Sequence, residues 1–402
     1  MSITTKSRTS DLVLNLNESA TIKMAQMARD LRAQGHDVIS LSLGEPDFDT
    51  PEHIKAAAKQ ALDEGYTKYT PVPGLVELRE AICTKFKRDN QLEFSPKQIV
   101  VSNGAKQCVA NIALALLNPG DEVVLIAPYW VSYYEIIRMA GGTPVVVSAG
   151  IEADYKVTAE QVAAAISPRT KFVLYSSPCN PTGSVYSAEE LGAIAEVVAA
   201  HEDILIVADE IYEYINFTEQ HVSIGSLPQV ADRTVTINGF SKGFAMTGWR
   251  LGYMGGPQWL AAACSKIQGQ FTSGANAYGQ KAAATALLAD LQPTYDMVTA
   301  FRQRRDLVIE LLGQIPGFRV NQPEGAFYIF PDISNFFGKT DGENVIKDAH
   351  DFCNYLLLQA HVGTVAGPAF GADDCMRISY AASETQLREA IRRIGEAVAR
   401  LR

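Results

Sequence analysis

Six short runs of β-branched and apolar residues recur through the middle of the chain and constrain its fold more than any other feature. They are 98–101 (QIVV), 122–127 (EVVLIA), 143–148 (TPVVVS), 171–176 (KFVLYS), 203–208 (DILIVA) and 234–238 (TVTIN), most of them followed closely by Gly, Pro or Asn. Continuous apolar runs of this length suit strands buried on both faces. Helical patterns separate several of them. Thr50 suits an N-cap and Pro51 a first helical position before EHIKAAAKQALDE, with Gly65 past the end. Ser187 and Glu190 form a capping-box pattern at the head of another helix. Strands alternating with helices predict an α/β fold with a mostly parallel sheet. The last hundred residues read differently. A charged helix over 300–312 leads to strands near 326–330 and 376–380, and Ser383 with Gln386 caps a final amphipathic helix. This predicts a large domain over 51–299 and a smaller α+β domain over 300–402, with the segment 1–50 packing on the smaller one.

The 402 residues carry a formal charge of −10. An acidic surface opposes sequence-independent binding to a phosphate backbone, so nucleic acid is not expected as a partner. The six cysteines form no C-x-x-C pair and read as reduced thiols of a cytoplasmic protein. The six histidines show no metal-ligand spacing, so no metal is expected. The N-terminal MSITTKSRTSDLVLNLNES has no apolar core of a signal peptide, and no run approaches a membrane span.

In open α/β sheets ligands gather at the carboxyl ends of the strands, so the residues following each run are the candidates. Gly104, Ala105 and Lys106 open a helix, where free amides and the dipole suit a phosphate; strand–Gly–helix turns also arise for structural reasons alone. Trp130 offers a flat face to a planar ring, or is simply core. The loop SPCNPTG is stiffened by Pro178 and Pro181 and would hold Asn180 as a fixed donor. Asp209 is a carboxylate at the end of a buried strand. It is either salt-bridged in the ordinary way or paired with a cation such as a protonated pyridine nitrogen. Lys242 lies among apolar and small residues, where an amine has a lowered pKa and can form Schiff bases. Arg250, eight residues on, could clamp a phosphate in bidentate fashion. Together, in order at successive strand ends, these are the parts needed to hold pyridoxal phosphate.

From about 19 to 380 the sequence resembles the class I aspartate aminotransferase family, through SLGEPDFDTP, YTPVPG, SSPCNPTG, ADEIY, SKGFAMTGWRLGY and MRISYA. The resemblance implies the type I pyridoxal phosphate fold, whose large domain carries a mostly parallel seven-stranded sheet. It implies that Lys242 forms the Schiff base and moves the substrate α-proton. Asp209 would hold the ring nitrogen's proton, Asn180 and Tyr212 the phenolic oxygen, and Trp130 the ring face. Gly104, the Ala105 and Lys106 amides, Ser241 and Arg250 would hold the phosphate, joined by Tyr69 of a neighbouring subunit. Arg377 would grip the substrate α-carboxylate with Gly44 and Asn180. A homodimer with shared sites follows. The reaction would be ping-pong, one amino acid giving its nitrogen for a second 2-oxo acid to take.

Two features depart from or refine this pattern. Cys179 stands where small or polar residues are usual, beside Asn180. Lys106 and Thr21 match a bacterial branch of aspartate and aspartate/prephenate aminotransferases, in which the lysine contacts the distal carboxylate of a dicarboxylic substrate. The alternative for Lys106 is a solvated lysine at a helix start, which the dipole disfavours. The expected activity is aspartate to 2-oxoglutarate, with prephenate, aromatic or alanine transamination as alternatives on the same framework. A non-catalytic sensor module would need a DNA-binding domain, for which the sequence has no helix-turn-helix or basic patch.

Overall fold

A computed structural model of the chain describes residues 8–402. The first seven residues of the predicted 1–50 segment lie outside the described residues. The central sheet has seven strands: β1 (Ile99–Ser102), β2 (Glu122–Ala127), β3 (Thr143–Ser148), β4 (Thr170–Ser176), β5 (Leu205–Asp209), β6 (Thr234–Gly239) and β7 (Gly252–Gly255), in the order β1-β7-β6-β5-β4-β2-β3. Strands β2 to β6 pair parallel, and β7 runs antiparallel to both β6 and β1.

Side chains alternate across the sheet with the period of two that a strand imposes. Val123, Leu125 and Leu174 pack with Cys108, Ile112 and Leu260 from the helices Ala105–Leu116 and Gln258–Phe271. Val124, Ile126, Val173 and Ile206 turn the other way, onto Leu191, Ile194 and Val198 of the helix Ala188–Ala199. This double burial is why the runs read as continuous hydrophobe. The exception is β3, which lies at the sheet edge and is half exposed rather than buried on both faces. Its Pro144 fits there because an edge residue can lack an N–H donor.

Several expected boundaries move. Thr50 does not cap the helix Glu52–Asp63: Pro51 is its N-cap, and the Thr50 hydroxyl donates to the Ala245 carbonyl instead. Gly65 does stand past the end, at φ +84°. Strand β5 begins at Leu205 and includes Asp209 as its last residue. The helix expected over 300–312 starts earlier, as Gln292–Gly313, and passes unbroken through the 299/300 position. The strand expected at 326–330 shrinks to Tyr328–Ile329, and Ala326, at its expected start, takes a left-handed φ of 56°. The capping boxes at Ser187 and Ser383 form as read. Strand β7 was not marked by any apolar run, since GYMG begins and ends in glycine. Both glycines are required by packing: a Cβ at Gly252 would lie 2.3 Å from the Ala105 nitrogen, and one at Gly255 2.7 Å from Phe94.

Around the C-terminal elements a separate core forms from Phe301, Val308, Tyr328, Phe352, Leu387, Ile391 and Ile394, and Met24, Ala28 and Val38 share it. Its sheet is antiparallel, ordered Val365–Ala366, Met376–Ser379, Tyr328–Ile329.

One charged cluster is fully inside. Lys85, without exposed surface, pairs with the buried Glu213, while the Asn90 amide donates to Glu213 at 2.7 Å and to Ser223 at 2.8 Å. Ser223 and His221 in turn meet Glu210. Glu210, Glu213 and His221 bring ligand atoms within 4.8 Å of one another, but Lys85 already supplies a cation there. Removing one partner of a buried pair strands the other's charge. Lys85→Met is therefore expected to lower stability by about 3 kcal/mol, seen as a lower denaturant midpoint.

Candidate active site

A cavity of about 340 Å³ opens at the carboxyl ends of the parallel strands, bounded on its far side by Gly44, Tyr328 and Arg377. Twelve of the residues singled out from the sequence line it together: Thr21, Gly44, Ala105, Lys106, Trp130, Asn180, Asp209, Tyr212, Ser241, Lys242, Arg250 and Arg377. Gly104 lies just behind the wall, and Tyr69 is outside it, 98% exposed on the single chain.

The corner at the start of the helix Ala105–Leu116 is built by glycine. Gly104 caps the helix Ala105–Leu116 at φ +87°, and a Cβ there would come 2.5 Å from Arg250 Nη2. With Gly252 pressed against the Ala105 nitrogen from the sheet side, only glycine at both positions lets the strand, helix start and guanidinium meet. Among the described residues the amides of Ala105 and Lys106 find no backbone acceptor. Arg250 itself is left-handed at φ 55° and is steadied by the Thr247 carbonyl at 2.8 Å. Two open amides, Ser241 and a guanidinium form a donor set suited to a phosphate.

Asp209 is 4% exposed. Its Oδ2 accepts from the Tyr133 hydroxyl at 2.5 Å and its Oδ1 from the Ile211 amide at 3.1 Å. Burial pushes its pKa up to about 6 against the pull of those two donors. Lys242 Nζ donates to the Gly44 carbonyl. Burial, with Arg377 and Arg250 nearby, pushes its pKa down to about 8. The Lys106 ammonium sits 4.9 Å from the Trp130 ring centroid, its pKa lowered by burial and by Arg250.

Arg377 is 1% exposed. Nη1 donates to Asn180 Oδ1 at 2.8 Å and Nη2 to the Ser42 carbonyl at 2.6 Å, while Nε has no partner among the described residues. The guanidinium lies 4.5 Å from the Tyr328 ring centroid and 4.9 Å from that of Phe370. Among the described residues no carboxylate pairs with it. A buried cation without a counter-ion is costly, and burial lowers its pKa. The site therefore has room for an anion of its own.

Sequence reasoning did not single out Tyr133, Tyr328, Ser42 or Glu45. Tyr133 follows Trp130 by three residues, but Trp130 precedes the helix Ser132–Met139, so no regular spacing marks the pair. Tyr328 comes from the short second sheet, and its hydroxyl meets that of Tyr212 at 2.6 Å. Glu45 accepts from the Thr247 hydroxyl. Neither contact leaves a local sequence signal, since each joins segments far apart in the chain.

The parts fit pyridoxal phosphate: an anion corner, an aromatic face, a buried carboxylate and an amine of lowered pKa in one cavity. Comparisons with known proteins agree. The family described as aminotransferase class I and II matches residues 36–394. The chain is 47% identical over 388 residues to the aspartate/prephenate aminotransferase of Cereibacter sphaeroides, covering 96% of this chain and 97% of that one. It is 47% identical over 391 residues to the bifunctional aspartate aminotransferase and glutamate/aspartate-prephenate aminotransferase of Petunia hybrida, covering 96% and 82%. The crystal structure of the aspartate aminotransferase from Rhizobium meliloti superimposes with a TM-score of 0.95 at 41% identity, covering 99% of this chain and 100% of that one. The chain belongs to the class I and II aminotransferases and is a pyridoxal phosphate-dependent transaminase.

Proposed function

We propose that the enzyme is an aspartate aminotransferase, moving the amino group of L-aspartate to 2-oxoglutarate by a ping-pong route that yields oxaloacetate and L-glutamate. The observation that carries this reading is the buried, unpaired Arg377 facing the same cavity as Lys242 and a second cation, Lys106. Arg377 takes the α-carboxylate, with Asn180 and Gly44 beside it. Lys106 takes the side-chain carboxylate, with Thr21 near.

Pyridoxal phosphate, when bound, supplies an electron sink that makes the substrate's Cα–H acidic. Asp209 holds the proton on its ring nitrogen, Asn180 and Tyr212 its phenolic oxygen, and Trp130 its ring face. The Ala105 and Lys106 amides, Ser241 and Arg250 hold its phosphate. Lys242 Nζ carries the cofactor and takes the proton from Cα. A neutral amine is needed to attach the cofactor, and a pKa of about 8 makes it increasingly available as pH rises towards that value. The attachment rate in cofactor-free protein should rise about tenfold per pH unit below pH 8 and level off above it, read by stopped-flow absorbance.

The test is the half-reaction: cofactor-loaded enzyme mixed with single amino acids and no oxo acid. Bleaching of the lysine-bound cofactor's absorbance by aspartate and glutamate alone supports the proposal. Bleaching chiefly by alanine or phenylalanine overturns the substrate. Lys106→Ala should lower kcat/KM for aspartate by about thirtyfold and leave that for alanine nearly unchanged, an effect the size of one charge-assisted hydrogen bond.

A second acceptor, prephenate, is favoured by one observation. Ile22 and Leu43, 62% and 42% exposed, line the cavity as an apolar wall that would suit a ring. Turnover of prephenate with aspartate or glutamate as donor would decide it. We propose further that the enzyme is a cytoplasmic homodimer in which Tyr69 of each subunit reaches the partner's phosphate corner. In the same reading 51–299 forms the cofactor-binding body and 300–402, with 1–50, the smaller one. The six unpaired cysteines suit a reducing compartment. Among the described residues no helix is long and apolar enough to cross a membrane.

A further inference from the structure

We propose that Tyr133 is a positioning residue for the reaction, its phenol fixing the Asp209 carboxylate in the orientation and charge state that receive the cofactor's ring nitrogen. This rests on the reading of Asp209 given above and adds to it the group through which Asp209 is held.

The geometry is direct. Tyr133 and Asp209 are 1% and 4% exposed, and the phenol donates to Oδ2 at 2.5 Å while the Ile211 amide donates to Oδ1 at 3.1 Å. Each carboxylate oxygen therefore has one fixed donor and keeps lone pairs for the cavity it lines. Tyr133 is the second residue of the helix Ser132–Met139 and stands edge-on to Trp130, with ring centroids 5.5 Å apart and planes at 83°. One short segment thus supplies both the aromatic face of the cavity and the donor that aims the carboxylate.

The hydroxyl is also a dependable donor. Burial and the neighbouring Asp209 charge push the Tyr133 pKa well above its ordinary value, so the phenol keeps its proton. Donation to a carboxylate favours its ionised form. The other groups acting on Asp209 are Glu210 and Tyr212 from its own segment, Lys242 from the loop after β6, and Cys108 from the helix Ala105–Leu116. Glu210 opposes ionisation and Lys242 favours it. Burial is the largest influence and raises the pKa; Tyr133 is the first of those opposing it. Phenylalanine would fill the same volume and keep the edge contact with Trp130, so the hydroxyl's role is separable from packing.

The test measures pyridoxal phosphate binding to cofactor-free protein by equilibrium dialysis across a pH series, for wild type, Tyr133→Phe, Asp209→Asn and the double variant. Affinity in wild type should fall on the acid side as Asp209 takes up a proton. Tyr133→Phe should move that fall upward by about one pH unit, which weakens binding about tenfold on the acid side of the fall and about twofold at neutrality. In the Asp209→Asn background, Tyr133→Phe should change affinity by less than about twofold, because the two residues act as one unit. Site-specific fluorotyrosine at position 133, a stronger donor, should move the fall downward, and it serves if Tyr133→Phe does not fold.

An unshifted acid limb in both position-133 variants, or losses that multiply in the double variant, would overturn the proposal and leave Tyr133 as packing. If Asp209→Asn keeps the wild-type profile, the reading of Asp209 itself falls and Tyr133 falls with it. If Asp209→Asn abolishes the limb while the position-133 variants leave it in place in the wild-type background, only the Tyr133 proposal fails.

Discussion

Lys242→Ala should fold normally and turn over aspartate at least about ten-thousandfold more slowly than wild type. Lys242 is proposed to do two things that no neighbour can take over. It must be a neutral amine to carry the cofactor, and it must then accept a proton from Cα. Its surroundings are arranged for the first: burial and the positive charges of Arg377 and Arg250 bring its pKa down to about 8. Its contact with the Gly44 carbonyl ties the amine to the wall on which substrate is expected to lie. Lys106 lines the cavity too, but its ammonium is over Trp130. Lys242→Arg should fail as completely, since a guanidinium is never neutral in this range. Single-turnover mixing with aspartate measures the loss. Added small amines should restore part of the proton transfer, about tenfold or more. A Lys242→Ala protein with more than about one-hundredth of wild-type turnover would remove Lys242 from the reaction.

What could be read from the sequence follows how local the physics is. Strands β2, β4, β5 and β6 are buried on both faces, so burial alone writes them as apolar runs. Capping boxes at Ser187 and Ser383 are legible because both partners lie within one turn. Strand β7 is hidden, because the packing that makes it a strand also demands glycine at its ends. The helix Gln292–Gly313 begins eight residues before the expected one, and its cap, Leu291, has no side-chain hydrogen bond to mark the start. At the site, Gly104, Asp209, Lys242 and Arg250 stand at strand ends, where the α/β fold itself directs attention. Arg377 and Gly44 lie on the other side of the cavity, and only the family resemblance brought them in. No spacing relates Arg377 to Asn180 or Ser42, which are 197 and 335 residues away in the chain. Contacts of that kind are products of the tertiary fold.

Arg377→Lys should lower kcat/KM about a thousandfold for every amino donor alike, with the cofactor's absorbance in the resting enzyme unchanged. Arginine at this position makes two bonds to the protein, to Asn180 and to Ser42, and still has N–H groups for a ligand. Its guanidinium also lies over the rings of Tyr328 and Phe370, 4.5 and 4.9 Å from their centroids, contacts that a lysine would not reproduce. A lysine has a shorter reach and no plane to stack, and three donors cannot replace both bonds and grip a carboxylate bidentately. Truncating a desolvated, hydrogen-bonded charge costs about 2–5 kcal/mol, and a thousandfold lies within that range. The pattern across substrates separates this residue from Lys106. Aspartate and alanine share the α-carboxylate, so both should suffer equally at Arg377, whereas Lys106→Ala should affect only the dicarboxylate. Steady-state kinetics with the two donors on the two variants gives four ratios. If Arg377→Lys spares alanine, or Lys106→Ala cripples it, the two cations have been assigned to the wrong ends of the substrate.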